Sequence, residues 1–360
     1  MSGGQTPLIV GAGPAGNMAA ITLGRAGVRA TVIDRQAEAG DALCGGFLSW
    51  RSAKRLRDAG IDLARIGAHP VHRLALFAGD RSATAPLPET AFGLSRRALD
   101  TAMRERAAVL GARFAVDTVR SIAVGTVQGE RHDYRTDAIF LATGKHDVRG
   151  LSRPRIAEDP ALGLRIRIAP SSELRRLLEG RIELHLFDRG YAGIVMQEGG
   201  SANICLAVRK SLLAEAGGSP WELLQMLGSE NEAFANRLSF ASGCEKVDTI
   251  GAVPYGWIAA KTEPGLYRLG DQGAVIPSLA GEGMGIAMQS GEMAARCWVA
   301  HGSGGAAEFQ KALRERAQRP VRAARLIWQI GEHRRRGGLL VRAAAFAPML
   351  ARLAMQASRI

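Results

Sequence analysis

The chain has four cysteines, Cys44, Cys205, Cys244 and Cys297, and no CxxC pair among them. That argues against a CxxC disulfide reductase and a cysteine-built metal site. It fits a reducing, cytoplasmic setting without structural disulfides. No charged-then-apolar leader precedes the first strand-like run at Pro7, so no secretory signal is expected. The histidines (His69, His72, His132, His146, His185, His301 and His333) follow no metal-ligand or triad spacing. None is assigned to catalysis, and no metal site is expected. GxSxG, HExxH and Walker sequences are absent, which removes the serine-hydrolase, zinc-protease and P-loop readings. There is no internal repeat and no long low-complexity linker. The most apolar late stretch, residues 339–357, is broken by Arg342, Pro348 and Arg352, against a membrane span.

What is present begins with a glycine turn. Leu8, Ile9 and Val10 read as a short buried strand. Gly11-Ala12-Gly13-Pro14-Ala15-Gly16 follows at once. In such a GxGxxG turn Gly11 permits the sharp bend, Gly13 lets the backbone approach a pyrophosphate, and Gly16 lets the next helix pack on the strand. That helix is expected to run through about Arg25, with an N-terminus suited to phosphate. Residues 28–33 read as the second strand. Asp34 closes it 23 residues after Gly11, a spacing at which an acid accepts ribose hydroxyls. Arg35 is placed to meet the adenine or a phosphate.

A second signature lies late in the chain: Gly270-Asp271, Pro277, then Gly281-Glu282-Gly283-Met284-Gly285. Between the two signatures the texture is mixed. Residues 71–78 read as a strand, and 81–90, with Pro86 and Pro88, as turn or edge. Ser95 reads as the N-cap of a helix through Leu110. Residues 112–127 hold strand-like pieces, and 136–143 form a buried strand. Residues 165–168, 183–187 and 204–208 read as strands of an antiparallel sheet, with a hairpin turn at Glu198-Gly199-Gly200-Ser201. Residues 220–227 and 232–238 read as helices, 267–269 as a strand and 281–300 as a helix. With 360 residues, 47% of them hydrophobic, the chain is long enough for two substructures.

The chain to about residue 305 resembles FAD-dependent oxidoreductases of the para-hydroxybenzoate hydroxylase fold, and most of all their geranylgeranyl reductase branch. The Gly11–Gly16 turn with Asp34-Arg35 is similar to the ADP-binding motif. Leu94-Ser95-Arg96-Arg97-Ala98-Leu99-Asp100 resembles the family's Arg-x-x-Phe/Leu-Asp helix start, which makes Arg96 a flavin phosphate or ribityl contact. Gly270-Asp271 resembles the Gly-Asp whose acid holds the ribityl chain. Pro277 and Gly281-Glu282-Gly283 resemble the turn under the isoalloxazine ring, with amides near Met284 and Gly285 placed to stabilise negative charge. Cys44-Gly45-Gly46 resembles the Cys-Gly loop of the reductase branch. Gly190-Tyr191-Ala192-Gly193-Ile194 resembles its aromatic strand facing the flavin. Cys44, as proton donor, and Tyr191 are therefore the candidate catalytic residues.

The resemblance implies an α/β fold: a Rossmann-like FAD-binding domain with a parallel sheet, an antiparallel-sheet substrate domain and C-terminal helices. The FAD-binding domain takes residues 1–70, 93–150 and 262–305. The substrate domain takes 71–92 and 151–261, and residues 306–360 form a basic helical segment. FAD is the implied cofactor. The hydroxylases carry Asp-Gly near residue 140, serving both FAD and NAD(P)H; here the chain reads Ala142-Thr143-Gly144. No second GxGxxG with strand and acid occurs. Two electron sources stay open: NADPH as a transient donor, or a separate donor. Three activities stay open as well. They are hydride transfer to or from a C=C bond of a hydrophobic prenyl or polyketide molecule, hydroxylation of an aromatic or polyketide ring, and flavin electron transfer as a subunit.

Charge is uneven. The chain's formal net charge is +13, and residues 309–360 alone hold 12 Lys and Arg against 2 acids. Two readings of this tail stand: helices packed as a roof over the substrate pocket, or a peripheral membrane contact with arginines snorkelling. Residues 308–330 read as a helix interrupted near Pro320. Nucleic acid is not an expected partner, since no stacking motif or recognition module accompanies the charge.

Overall fold

The computed structural model describes residues 6–155 and 157–360; the side chains of residues 334, 348 and 350 lie outside the description. The apolar triplets Leu8–Val10 and Ile139–Leu141 are buried throughout, as strands covered on both faces must be. They sit in a five-stranded parallel sheet. Its order is Leu266–Arg268, Ile139–Leu141, Leu8–Val10, Thr31–Asp34 and Arg113–Val116.

The second strand starts at Thr31 rather than at residue 28. Val28 donates its N–H to Leu23 O at 2.9 Å, so it still belongs to the C-terminal cap of the first helix, Pro14–Arg25. That helix packs against the helix Gly283–His301. A Cβ added at Gly291 would lie 2.2 Å from Ala15 O, so glycine is what allows the two backbones this close.

The second sheet has eight strands in the order Asp248–Ile250, Ala161–Ile168, Ala202–Arg209, Gly190–Met196, Gly180–Phe187, His69–Ala78, Arg81–Gly93 and Phe47–Leu48. All pairs are antiparallel except Gly180–Phe187 with His69–Ala78. The Glu198–Gly200 turn closes the hairpin at the expected place. Residues 81–90 are strand rather than turn. Pro86 and Pro88 are tolerated because only Phe92 and Gly93 have a sheet neighbour on the far side, and the near register shifts between Val71 and Arg73. A small third sheet is formed by Val119–Ala123, Thr126–Gly129 and Asp133–Arg135.

The tail folds as three helices, Ala306–Gly331, Arg334–Phe346 and Pro348–Ala357. The expected interruption at Pro320 is absent: the first tail helix runs straight through it. Proline inside a helix costs ~3 kcal/mol. Here Phe309, Leu313, Ala317, Pro320, Val321, Ala324 and Trp328 form one buried stripe, and that packing outweighs the lost backbone bond.

Candidate active site

One cavity of about 800 Å³ runs from the first glycine turn to the inner face of the eight-stranded sheet. Its first end is built from backbone. Gly11 has φ +106°, and a Cβ there would stand 2.4 Å from Ala142 O. A Cβ on Gly13 would point at the Arg96 guanidinium, 3.2 Å away. The first intrahelical bond is Asn17 N–H to Gly13 O at 2.9 Å, so the Ala15 and Gly16 amides precede the helix ladder. The Asp34 carboxylate accepts Ala12 N–H at 2.8 Å and Gln36 N–H at 2.9 Å. It is thereby fixed beside the turn with lone pairs to spare.

Arg96 makes a two-pronged ion pair with Asp100, at 3.0 and 2.6 Å. Burial pulls the Arg96 pKa down, but Asp100 more than restores it. Burial raises the Asp100 carboxyl against the opposing pull of Arg96. A cation is thus held rigidly against Gly13. Arg35 lies 3.3 Å from His146 Nε2, and burial together with Arg35 lowers the His146 pKa.

The late signature closes the same cavity. Gly270 N–H donates to Ser290 Oγ at 2.8 Å, and Asp271 O accepts from the buried Arg153 at 3.0 Å. The Asp271 side chain makes no hydrogen bond among the described residues, and Asp271 lines the cavity. Pro277 N-caps the turn Ser278–Ala280. Gly281 has φ +63° and would set a Cβ 2.9 Å from the Phe47 ring. Ile286 N–H to Glu282 O, at 3.0 Å, is the first bond of the following helix, so the Gly283, Met284 and Gly285 amides precede its ladder.

A pyrophosphate-sized approach at Gly13, a fixed carboxylate at Asp34, a fixed cation at Arg96 and two helix starts with spare amides fit FAD. Gly11, Gly13, Pro14, Ala15, Asp34, Arg35, Arg96, Gly270, Asp271, Gly281, Gly283 and Met284 all line the cavity. Gly16, Pro277 and Gly285 do not. Gly16 packs on Gly11, and Gly285 faces Glu282.

The far end is mostly apolar, with Ile182, Leu184, Leu206, Val253 and Leu279. Both candidate catalytic residues line it. Cys44 is half-buried, and its Sγ accepts Gly46 N–H at 3.5 Å. Asn203 Nδ2 pins that loop by donating to the carbonyls of Cys44 and Gly45 at 3.2 and 3.0 Å. Tyr191 is buried, and burial raises its pKa well above the usual phenol value.

Sequence reasoning missed three neighbours. Tyr255 OH and Ser278 Oγ are 2.8 Å apart. Burial pushes the Cys205 thiol up to about 12. Tyr255 and Cys205 carry no local motif, whereas Ser278 sits next to Pro277 in the turn already singled out. Trp328 of the first tail helix packs on both tyrosines, with ring centroids 5.7 Å from Tyr191 and 5.3 Å from Tyr255. The tail thus backs two of the side chains that line this end.

Residues 5–145 match the FAD binding domain family. No curated protein sequence matches the chain. Solved structures share its fold over nearly the whole length. A flavin-dependent brominase superposes with a TM-score of 0.77 at 14% identity, covering 98% of this chain and 94% of its own. A probable FAD-dependent monooxygenase from Pseudomonas aeruginosa gives 0.74 at 17%, covering 93% and 98%. A geranylgeranyl bacteriochlorophyll reductase-like protein from Thermoplasma acidophilum gives 0.76 at 18%, covering 97% and 95%. Likeness at these identities is likeness of fold. The fold and the FAD cofactor expected from the two glycine signatures both stand.

Proposed function

Starting from the premise that the chain is an FAD-dependent oxidoreductase, we propose that it transfers hydride to or from a C=C bond of a hydrophobic small molecule of prenyl or polyketide type. The observation that carries this reading is that one continuous cavity joins the dinucleotide cradle to an apolar chamber holding the Cys44 thiol. Bound FAD supplies hydride chemistry at its ring system. Reduction of an alkene also needs a proton for the second carbon. Cys44 holds one at Sγ, on a loop fixed by Asn203, and recovers it from solvent. The apolar walls exclude water from the reacting bond. The spent cofactor is re-reduced by NADPH or by a separate donor.

A second reading rests on Tyr255 and Ser278. Their hydrogen-bonded pair is the polar spot of the chamber that suits a phenol or carbonyl oxygen. That favours hydroxylation of a phenolic ring: one atom of molecular oxygen would enter the ring and the other leave as water, with NADPH or a separate donor supplying the two electrons.

Substrate panels separate the two. FAD-loaded protein, reduced with dithionite, is incubated anaerobically with polyprenyl and long-chain alkyl phenol compounds, and again in air with NADPH. A product gaining two hydrogens without oxygen supports the first reading. A product gaining one oxygen atom, formed only in air, overturns it in favour of the second. Cys44→Ala with intact FAD binding and unchanged turnover removes the proton-donor role.

A further inference from the structure

Eight large apolar side chains are exposed among the described residues, and five belong to the tail: Leu326, Leu339, Phe346, Met349 and Leu353. They are not scattered. The helix Arg334–Phe346 turns Gly337 and Gly338 inward, where Cβ atoms would meet Leu186 and Arg81. Val341 and Ala344 are buried on the same side. Leu339 and Phe346, seven residues apart, therefore share the outer face, with Phe346 84% exposed. On the next helix Met349 and Leu353 are four apart and again outward, at 72% and 55% exposed.

Exposed arginines interleave with this stripe: Arg335, Arg336, Arg342 and Arg352. Residues 334–360 contain no acid at all. An apolar stripe flanked by cations of one sign is the chemistry of a surface that enters a headgroup layer. A second copy of the chain is a poor match, because the same unneutralised arginines would face one another across the contact. No single helix here is long and apolar enough to cross a membrane. The two helices together are apolar enough, but the chain bends by 111° between them, and their outward apolar side chains share one side with the arginines, which suits lying along a surface.

We propose that the helices Arg334–Phe346 and Pro348–Ala357 form a docking face for an anionic lipid bilayer. Phe346 and Met349 enter the acyl boundary, and the arginines meet the headgroups. The face is tied to the enzyme at both ends. Trp328 lies behind the cavity wall, and Arg359 reaches the Glu282 turn at 3.1 Å.

The test is co-sedimentation of the full-length, FAD-loaded protein with vesicles of phosphatidylcholine alone or mixed with phosphatidylserine. Binding is expected to be about tenfold or more stronger on the anionic vesicles and to weaken with salt. Phe346→Ser with Met349→Ser should cut it at least about tenfold. Val124→Ser, an equally exposed apolar site elsewhere, should leave it intact. Unchanged flavin absorbance certifies folding of each variant. Three results overturn the proposal: no preference for anionic vesicles, binding that survives the Phe346 and Met349 changes, or a dimer in solution that those changes dissolve.

Discussion

Replacing Arg359 by methionine should destabilise the protein in a pH-dependent way. Glu282 is fully buried and Arg359 nearly so, with Nη1 3.1 Å from Oε2 and a second hydrogen bond to Ala280 O. The guanidinium also stacks over Trp50 at 5.1 Å and Phe47 at 5.8 Å. Burial raises the Glu282 pKa and lowers that of Arg359, so desolvation outweighs attraction at both partners. Breaking such a pair from one side costs ~3–5 kcal/mol, because it strands the other charge. Glu282 sits between two turns and cannot swing out, but it can take up a proton.

The sign of the pH effect follows. Without Arg359 the folded pKa of Glu282 rises further above the ordinary 4.5. Below 4.5 the carboxyl is neutral in both states and the variant loses little electrostatic stability. As pH rises from 4.5 towards the raised folded value, the unfolded chain ionises first. Stability then falls by up to about 1.4 kcal/mol per pH unit and levels off above the folded pKa. Urea unfolding, followed by tryptophan fluorescence at pH 5 and pH 8, reads the effect. A loss of ~3 kcal/mol at pH 8 that shrinks at pH 5 is expected. Adding Glu282→Gln to Arg359→Met should recover part of the pH 8 loss. An equal loss at both pH values, or strict additivity of the two changes, refutes the reasoning.

Two other substitutions test the cofactor end. Arg96→Met should weaken FAD binding by about tenfold or more and leave Asp100 buried without its partner, lowering stability by ~3 kcal/mol; flavin release on dilution and a thermal melt read the two effects separately. Gly291→Ala should cost ~1–3 kcal/mol, because its Cβ meets Ala15 O at 2.2 Å and the two helices must part; an unchanged melting temperature counts against that contact.

The cofactor end of the cavity was more legible in the sequence than the far end, where Cys44 and Tyr191 were singled out but Tyr255 and Cys205 were not. Gly11, Gly13 and Asp34 are brought together within one strand–turn–helix–strand unit, so a short stretch of chain announces their placement. The Ser95 cap and the Glu198–Gly200 hairpin turn were readable for the same reason. Tyr255 and Cys205 line one chamber, with Trp328 packed behind Tyr255, only because segments far apart in the chain converge there. Glu282 and Arg359 are 77 residues apart, and nothing local announces either partner. Pro320 shows the converse: its local signal was clear, and a buried stripe overrode it. The same division holds for chemistry. FAD is recognised by main-chain turns that recur wherever the unit recurs, whereas the substrate is recognised by side chains that only the assembled sheet brings together. A brominase, a monooxygenase and a reductase-like protein can therefore share this backbone. Beyond the shared backbone, this chain's cavity brings Cys44, Cys205, Tyr191, Tyr255 and Ser278 together from four separate stretches of sequence, and it is side chains placed in this way that differ between proteins of one fold.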